Sequence, residues 1–279
     1  MQMIWAKLKL TAPCVFGGRF KMLPLKMAST VLRQAIERQA NRIRSYQRLA
    51  AVYHEYARSF CPDYVSFLKT LSKRHHCELR AVLDLACGAG TLTVQLASLA
   101  PRVVGVDRSP EMIDEAQRRC AGLEHVRFVR ADFRDFDLAD RFDSIVCASD
   151  SLNYIETTTE LDQVLDCVAR HLAPRGLFVG DALDDRGFRM YSGKFIPIQW
   201  NGTDCNIVLQ YDAATRVSQS LVVFGSEVET HRRIPIEPDQ MLAAAGRCGL
   251  TVLDWFSVAG FGLFKYGGVR NFYVLQKAA

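Results

Sequence analysis

No aspartate or glutamate precedes Glu37, and the apolar runs of the first 28 residues are too short to span a bilayer. The missing acids concentrate the charge surplus. Lys7, Lys9, Arg19, Lys21, Lys26 and Arg33 more than account for the formal net charge of +5, so the rest of the chain is close to neutral. A basic stripe of the kind that tracks phosphates is absent from that body, which argues against a nucleic-acid partner. The nine cysteines include no Cys-x-x-Cys pair, and an odd count suits neither a disulfide framework nor a zinc site. A reducing, cytoplasmic setting without a metal follows as the expectation. Cys87, Cys147 and Cys167 lie in apolar stretches with no base beside them in sequence, and read as small core side chains.

A third glycine is also lacking where a dinucleotide-binding turn would carry one. Ala81-Val82-Leu83-Asp84-Leu85-Ala86-Cys87-Gly88-Ala89-Gly90 reads as a buried strand ending in a glycine bend that opens a helix, but Thr93 stands at the third position. Asp84, just ahead of the bend, would repel a pyrophosphate and suits a cationic ligand instead. A second apolar strand, Val103 to Val106, ends in Asp107, where a βαβ unit places a carboxylate able to accept both hydroxyls of a ribose. An alternative for Asp84 is a strand-end cap on the following helix.

These residues, with others in the same order, resemble the class I S-adenosylmethionine-dependent methyltransferases of the small-molecule type. Ser109-Pro110-Glu111-Met112-Ile113 is similar to the start of that family's second helix, and Ala131-Asp132-Phe133 to the segment whose acid takes the adenine amino group. Phe142 to Tyr154, containing Ser149-Asp150-Ser151-Leu152-Asn153-Tyr154, resembles the fourth strand and its active-site loop. Leu172 to Asp181 resembles the turn and fifth strand, and Glu229-Thr230-His231-Arg232-Arg233 followed by Met241 to Leu250 a late segment and last helix. The likeness runs from about residue 45 to the end of the chain. It implies S-adenosyl-L-methionine as cofactor, held by Tyr53, Asp84, Ala86, Gly88, Gly90, Asp107, Met112, Asp132, Phe133 and Ser149. For catalysis it implies Asp150, Tyr154 and His231. Helix capping by Asp150, a solvated strand position for His231 and a core position for Tyr53 remain open as plain readings.

The alternation of elements supports an α/β chain: a Rossmann-like, doubly wound, seven-stranded sheet, mostly parallel with the last strand antiparallel, and a small antiparallel β insert after strand five. Helical spacing runs from Val31 to Ser59 and from Tyr64 to Lys73, and helices are expected after Gly90, Pro110 and Thr159. Strands are expected near 81–86, 102–107, 126–131, 142–148 and 176–182, then at Thr251 to Val258 and Asn271 to Gln276. Period-two runs at Asn206 to Asp212, Val217 to Phe224 and Glu227 to Ile234 form the insert. Four segments follow: 1–28, a poorly ordered extension, tail, targeting segment or upstream start ahead of Met27; 29–185, the helices and cofactor core; 186–236, the insert covering the acceptor pocket; and 237–279, the last helix and two closing strands. Gly260 to Gly268 reads as an aromatic loop, bordering the pocket or merely joining strands.

Methyl transfer from a sulfonium is an in-line displacement, so proximity and exclusion of water carry most of it. The expected activity is transfer of a methyl group to a small-molecule acceptor, an amine first, with O-methylation of a phenol or carboxylate as the alternative. A catalytically silent binding protein of the same fold is the reading from another class, and a nicotinamide oxidoreductase a remoter one. The loop after strand four lacks the Pro-Pro-Tyr pattern of DNA amino-methylating enzymes. Oligomeric state is not legible.

Overall fold

The computed structural model describes residues 23–24, 26, 28, 42–58, 64–200, 203–259, 262–264 and 269–278. Two short strands come first, β1 (Leu23–Pro24) and β2 (Arg42–Ile43), then helices α1 (Leu49–Arg58) and α2 (Tyr64–His75). The alternating part follows: β3 (Ala81–Leu85), α3 (Thr93–Leu96), β4 (Arg102–Asp107), α4 (Pro110–Arg119), β5 (Val126–Arg130) and β6 (Phe142–Cys147). A 3-10 turn (Ser151–Tyr154), α5 (Thr158–His171), β7 (Leu172–Leu183) and α6 (Asp185–Tyr191) lead to four strands, β8 (Lys194–Trp200), β9 (Thr203–Asp212), β10 (Val217–Phe224) and β11 (Glu227–Arg233). α7 (Pro238–Arg247), β12 (Leu250–Ala259), β13 (Gly262–Phe264) and β14 (Arg270–Lys277) complete the order.

The core sheet runs β13-β12-β14-β7-β6-β3-β4-β5. β5, β4, β3, β6 and β7 pair in parallel, while β14 lies antiparallel between β7 and β12. These seven strands match the expected sheet, and three-residue β13 adds an edge to β12. Every residue of β3 is buried, as an unbroken apolar run predicts for a strand covered on both faces. Leu83, Leu85, Ile145 and Phe178 meet α5 and α7 on one face, and Val82, Val103, Val146 and Val179 meet α2 and Phe272 on the other. Helix starts follow local chemistry. Ser109 caps α4 by accepting the Met112 amide at 3.2 Å, Pro110 occupies the first turn where its missing N–H costs nothing, and Thr157 caps α5 through the Glu160 amide. Because β4 and β5 lie on one side of β3 and β6 on the other, strand order reverses at the carboxyl end of β3, where such sheets open a crevice.

The second sheet has the order β1-β8-β9-β10-β11-β2. Its hairpins are written locally: Asp212 accepts the Ala214 amide and the Thr215 hydroxyl in the β9–β10 turn, and Gly225 takes φ +57° in the two-residue β10–β11 turn. Leu49 and Val52 of α1 pack on Ile196, Ile198, Ile207 and Val222 of this sheet.

Two expectations change. Within the described part of the helix expected from Val31 to Ser59, residues 44–48 are not helical, the helix runs Leu49–Arg58, and Ile43, counted as helical, lies in a strand paired in parallel with β11. Tertiary partners decide this: the Ser45 hydroxyl donates to the Thr230 carbonyl at 2.7 Å and the Glu229 carboxylate takes the amides of the helix start. Residues 31–41 and 59 of that span lie outside the described residues. β8 and α6 were not foreseen; Pro197 interrupts the pattern but sits where β8, beyond its two-residue pairing with β1, has no further neighbour on that side among the described residues. The 1–28 extension lies mostly outside the described residues, apart from 23–24, 26 and 28, of which Leu23–Pro24 pairs with Phe195 and Lys194. Of Gly260 to Gly268, only the backbone of β13 is described.

Candidate functional site

A cleft of about 530 Å³, counting its open mouth, lies at the carboxyl ends of β3 and β4 and beside the 3-10 turn after β6. Its floor is the bend after β3. Ala86 (φ +59°) and Gly88 (φ +52°) turn the backbone there, and a Cβ on Gly88 would come within 3.3 Å of the Tyr53 ring. Gly90 serves differently: at φ +73° a Cβ would stand 3.1 Å from the Ala116 backbone, so its bareness lets the bend press onto α4. Met112 and Phe133 are buried along one wall, Tyr46 and Tyr53 form the roof, and Ser151 and Tyr154 close the side toward β6.

The three acids read from the sequence separate. Asp107 lines the cleft and accepts the Gly88 amide on one oxygen and the Ser109 amide on the other, each at 2.9 Å. Burial raises its pKa, and those two amides pull it back. Asp84 lies beneath the bend, 2 % exposed, with the Thr93 hydroxyl donating to it at 2.6 Å; burial pushes its pKa up to about 7. It is not a lining residue, and the residue that replaced the third glycine is its partner. Asp132 turns away to Arg134, which donates to both of its oxygens. Burial alone would raise its pKa, but Arg134 holds it below the usual range. Of the three carboxylates expected in a common hollow only Asp107 lines it; Asp84 and Asp132 are each taken by a side-chain donor, Thr93 and Arg134.

Asp150, expected in catalysis, is held in a buried charge cluster. Arg233 and Arg270 both ion-pair with it, Arg270 at 2.8 Å, and its own amide donates to Asp181 at 3.0 Å. Arg270 also pairs with Asp181 at 2.8 Å, and the Tyr64 hydroxyl donates to Asp181. Neither lining the cleft nor capping the following turn by its side chain, Asp150 is engaged on both oxygens. Its αL backbone (φ +51°), following Ser149 at φ +61°, makes the sharp turn out of β6; Ser149 is absent from the lining, where Ser151 stands instead.

Tyr154 and His231 do meet. The Tyr154 hydroxyl lies 3.3 Å from His231 Nδ1, and His231 Nε2 lies 3.3 Å from the Glu229 carboxylate. His231 is 2 % exposed rather than solvated, with the Tyr46 ring packed edge-on at 4.6 Å. Burial lowers its pKa, partly offset by Glu229. Tyr154 is pushed up by burial, eased by the Arg233 charge. Sequence reading missed Tyr46, Ser151, Arg108 and Glu229. For Glu229 a signal existed: strand alternation puts Glu229, His231 and Arg233 on one face of β11.

Comparison with known proteins bears on the family and the fold. Residues 82–176 match the family model described as a methyltransferase domain. YqeM of Bacillus subtilis is 34% identical over 137 residues, covering 49% of this chain and 54% of its own length. The dTDP-3-amino-3,6-dideoxy-alpha-D-glucopyranose N,N-dimethyltransferase of Streptomyces fradiae is 35% identical over 114 residues, covering 40% and 43%. The chain therefore spans about half or less of the curated relatives it matches. Among solved structures, an S-adenosylmethionine-dependent methyltransferase from Clostridium acetobutylicum superposes with TM-score 0.71 at 21% identity, covering 84% of this chain and 99% of its own. Streptomyces venezuelae DesVI gives 0.62 at 23% identity, covering 77% and 90%. Residues 82–176 thus match the methyltransferase domain family, in a chain that shares the fold of solved S-adenosylmethionine-dependent methyltransferases.

Proposed function

We propose that the protein transfers a methyl group from S-adenosyl-L-methionine to a small-molecule amine, with amino sugars the first acceptor class to test. The carrying observation is the bare Gly88 face beside the Asp107 carboxylate, under a roof of Tyr46 and Tyr53. The cleft fits such a cofactor. Asp107 keeps lone pairs for ribose hydroxyls after accepting two amides, and Met112, Ala131 and Phe133 offer an apolar slot for a purine ring. A dinucleotide fits less well, because the amides of Gly88 and Gly90 that would cradle phosphates already donate to Asp107 and to the Cys87 carbonyl. When bound, the sulfonium supplies an electrophilic methyl group. The protein's share is to hold the acceptor in line, keep water out beneath the tyrosine roof, and accept a proton where an amine arrives charged.

Amino-sugar N,N-dimethyltransferases among the relatives, from Streptomyces fradiae, Saccharopolyspora spinosa and Streptomyces venezuelae, support the acceptor class. In this reading Tyr154 faces the acceptor, His231 is the base behind it, and residues 186–236 cover the acceptor side. Asp150 supports the site from below. Among the described residues no helix is long and apolar enough to cross a membrane, and no His, Cys, Asp or Glu group is arranged to hold a metal. The test is direct: isothermal titration with S-adenosyl-L-methionine, then transfer of labelled methyl to dTDP-amino sugars and simpler amines. Binding in the micromolar range with label on nitrogen is expected. Absence of cofactor binding overturns the proposal, and label only on oxygen moves it to O-methylation.

A further inference from the structure

The buried acid behind His231 is unused by the reading above, and its surroundings give it a particular task. Glu229 is wholly buried, and its carboxylate accepts the amides of Tyr46 at 3.0 Å and Leu49 at 2.9 Å, and that of Arg48. These donors come from the start of α1, so the acid's orientation is set by backbone and its oxygens act as acceptors. The nitrogen facing it, His231 Nε2 at 3.3 Å, must then carry the imidazole hydrogen. Nδ1 is left with its lone pair toward the Tyr154 hydroxyl at 3.3 Å. Tyr154 in turn lines the cleft.

We infer that Glu229 is a positioning residue which locks His231 as the Nε2–H tautomer, so that Tyr154, His231 and Glu229 form a relay drawing a proton from an acceptor that arrives as an ammonium ion. The inference rests on the methyltransferase reading for its reaction and deepens it by naming the charge state of the acceptor. In the step, the acceptor N–H bond breaks as the Tyr154 oxygen takes the proton, and the Tyr154 O–H bond breaks as Nδ1 takes that one. The products are a neutral amine with its lone pair free to attack and an imidazolium beside the Glu229 carboxylate. The proton leaves later by the reverse path to solvent. Groups facing His231 are consistent with a neutral starting ring. Burial, Arg233 on its own strand and Arg108 from the β4–α4 connection disfavour the cation, the Tyr46 and Tyr154 rings pack edge-on against it with their hydroxyls hydrogen-bonded to one another, and Glu229 is the counter-charge that makes the protonated form reachable.

Glu229→Gln separates this from a purely structural role. The amide oxygen in place of Oε1 can still accept from Arg48 and Leu49, while an NH2 in place of Oε2 gives up the Tyr46 amide and would donate to Nε2, moving the ring hydrogen to Nδ1 and turning it toward Tyr154. Histidine 15N spectra of the full chain, which need no turnover, are expected to show Nε2–H in the native protein and Nδ1–H in the variant. With an amine acceptor, kcat of E229Q at neutral pH should fall by about a hundredfold while KM for S-adenosyl-L-methionine stays within about threefold, and the loss should shrink as pH rises and the amine deprotonates unaided. A native Nδ1–H tautomer, or an E229Q rate equal to native, overturns the inference. Should E229Q fail to fold, Tyr154→Phe leaves every Glu229 contact in place and must show the same pH-dependent loss; a loss independent of pH overturns the relay. If the native protein methylates no amine, the parent reading fails, whereas the tautomer is judged by the spectra alone.

Discussion

Asp84 and Thr93 show how a single substitution in a familiar turn redirects its neighbours. A glycine at position 93 would leave the Asp84 carboxyl without its hydroxyl donor; here the pair is buried and tight. Since the folded pKa is raised to about 7 from an ordinary aspartate value, the folded protein holds this proton where the unfolded chain has lost it. The stabilising contribution is therefore fully present below pH of about 4 and is lost as pH rises through about 7. Asp84→Asn keeps an acceptor for Thr93 and removes the titration, so denaturant unfolding of the variant should be flatter with pH between about 5 and 8 than that of the native protein. At Gly88 the prediction concerns binding. Alanine there must hold φ +52° and push the Tyr53 ring, costing about 1 kcal/mol of backbone strain and weakening S-adenosyl-L-methionine binding by about tenfold or more in titration.

At the scale of elements, α1 is a roof held at its start by β11 and at its side by α4. The carboxylate of Glu229 at its N-terminus is favoured by the helix dipole as well as by hydrogen bonds. The Arg44–Glu111 ion pair is a weaker tie, with the Arg44 side chain 66% exposed. Arg44→Ala should lower stability by less than about 1 kcal/mol in thermal melts, and α1 should remain protected from limited proteolysis. The core strands and α4, α5 and α7 were legible because their signals are local: unbroken apolar runs, Ser109 and Thr157 before helices, Pro at first turns. The entry to α1 was not, because nothing between Arg42 and Arg48 announces a strand; its partners lie about 180 residues away in sequence. For the same reason Asp150 looked like a free base. Its loop position was readable, but Arg233 and Arg270, which take both its oxygens, approach from distant strands.

For the whole molecule, that cluster joins the two sheets. Arg233 belongs to the insert sheet, Arg270 and Asp181 to the core sheet, and Asp150 lies between them. Removing the central charge leaves the half-buried Arg233 without its carboxylate while Arg270 keeps Asp181, so Asp150→Asn is expected to cost about 3 kcal/mol. Differential scanning calorimetry should register that as a lower midpoint, and a D150N protein of native stability with lost turnover would instead return Asp150 to the chemistry.

The anchoring of α1 by a side chain so late in the chain bears on biosynthesis. As the polypeptide emerges from the ribosome, the glycine bend and Asp107 can form long before Glu229 is made, so an open, roofless nucleoside groove precedes the closed one. Nascent chains halted before β11 would expose Tyr46 and Tyr53 to solvent, and tyrosine fluorescence of such stalled intermediates would report when the roof comes down.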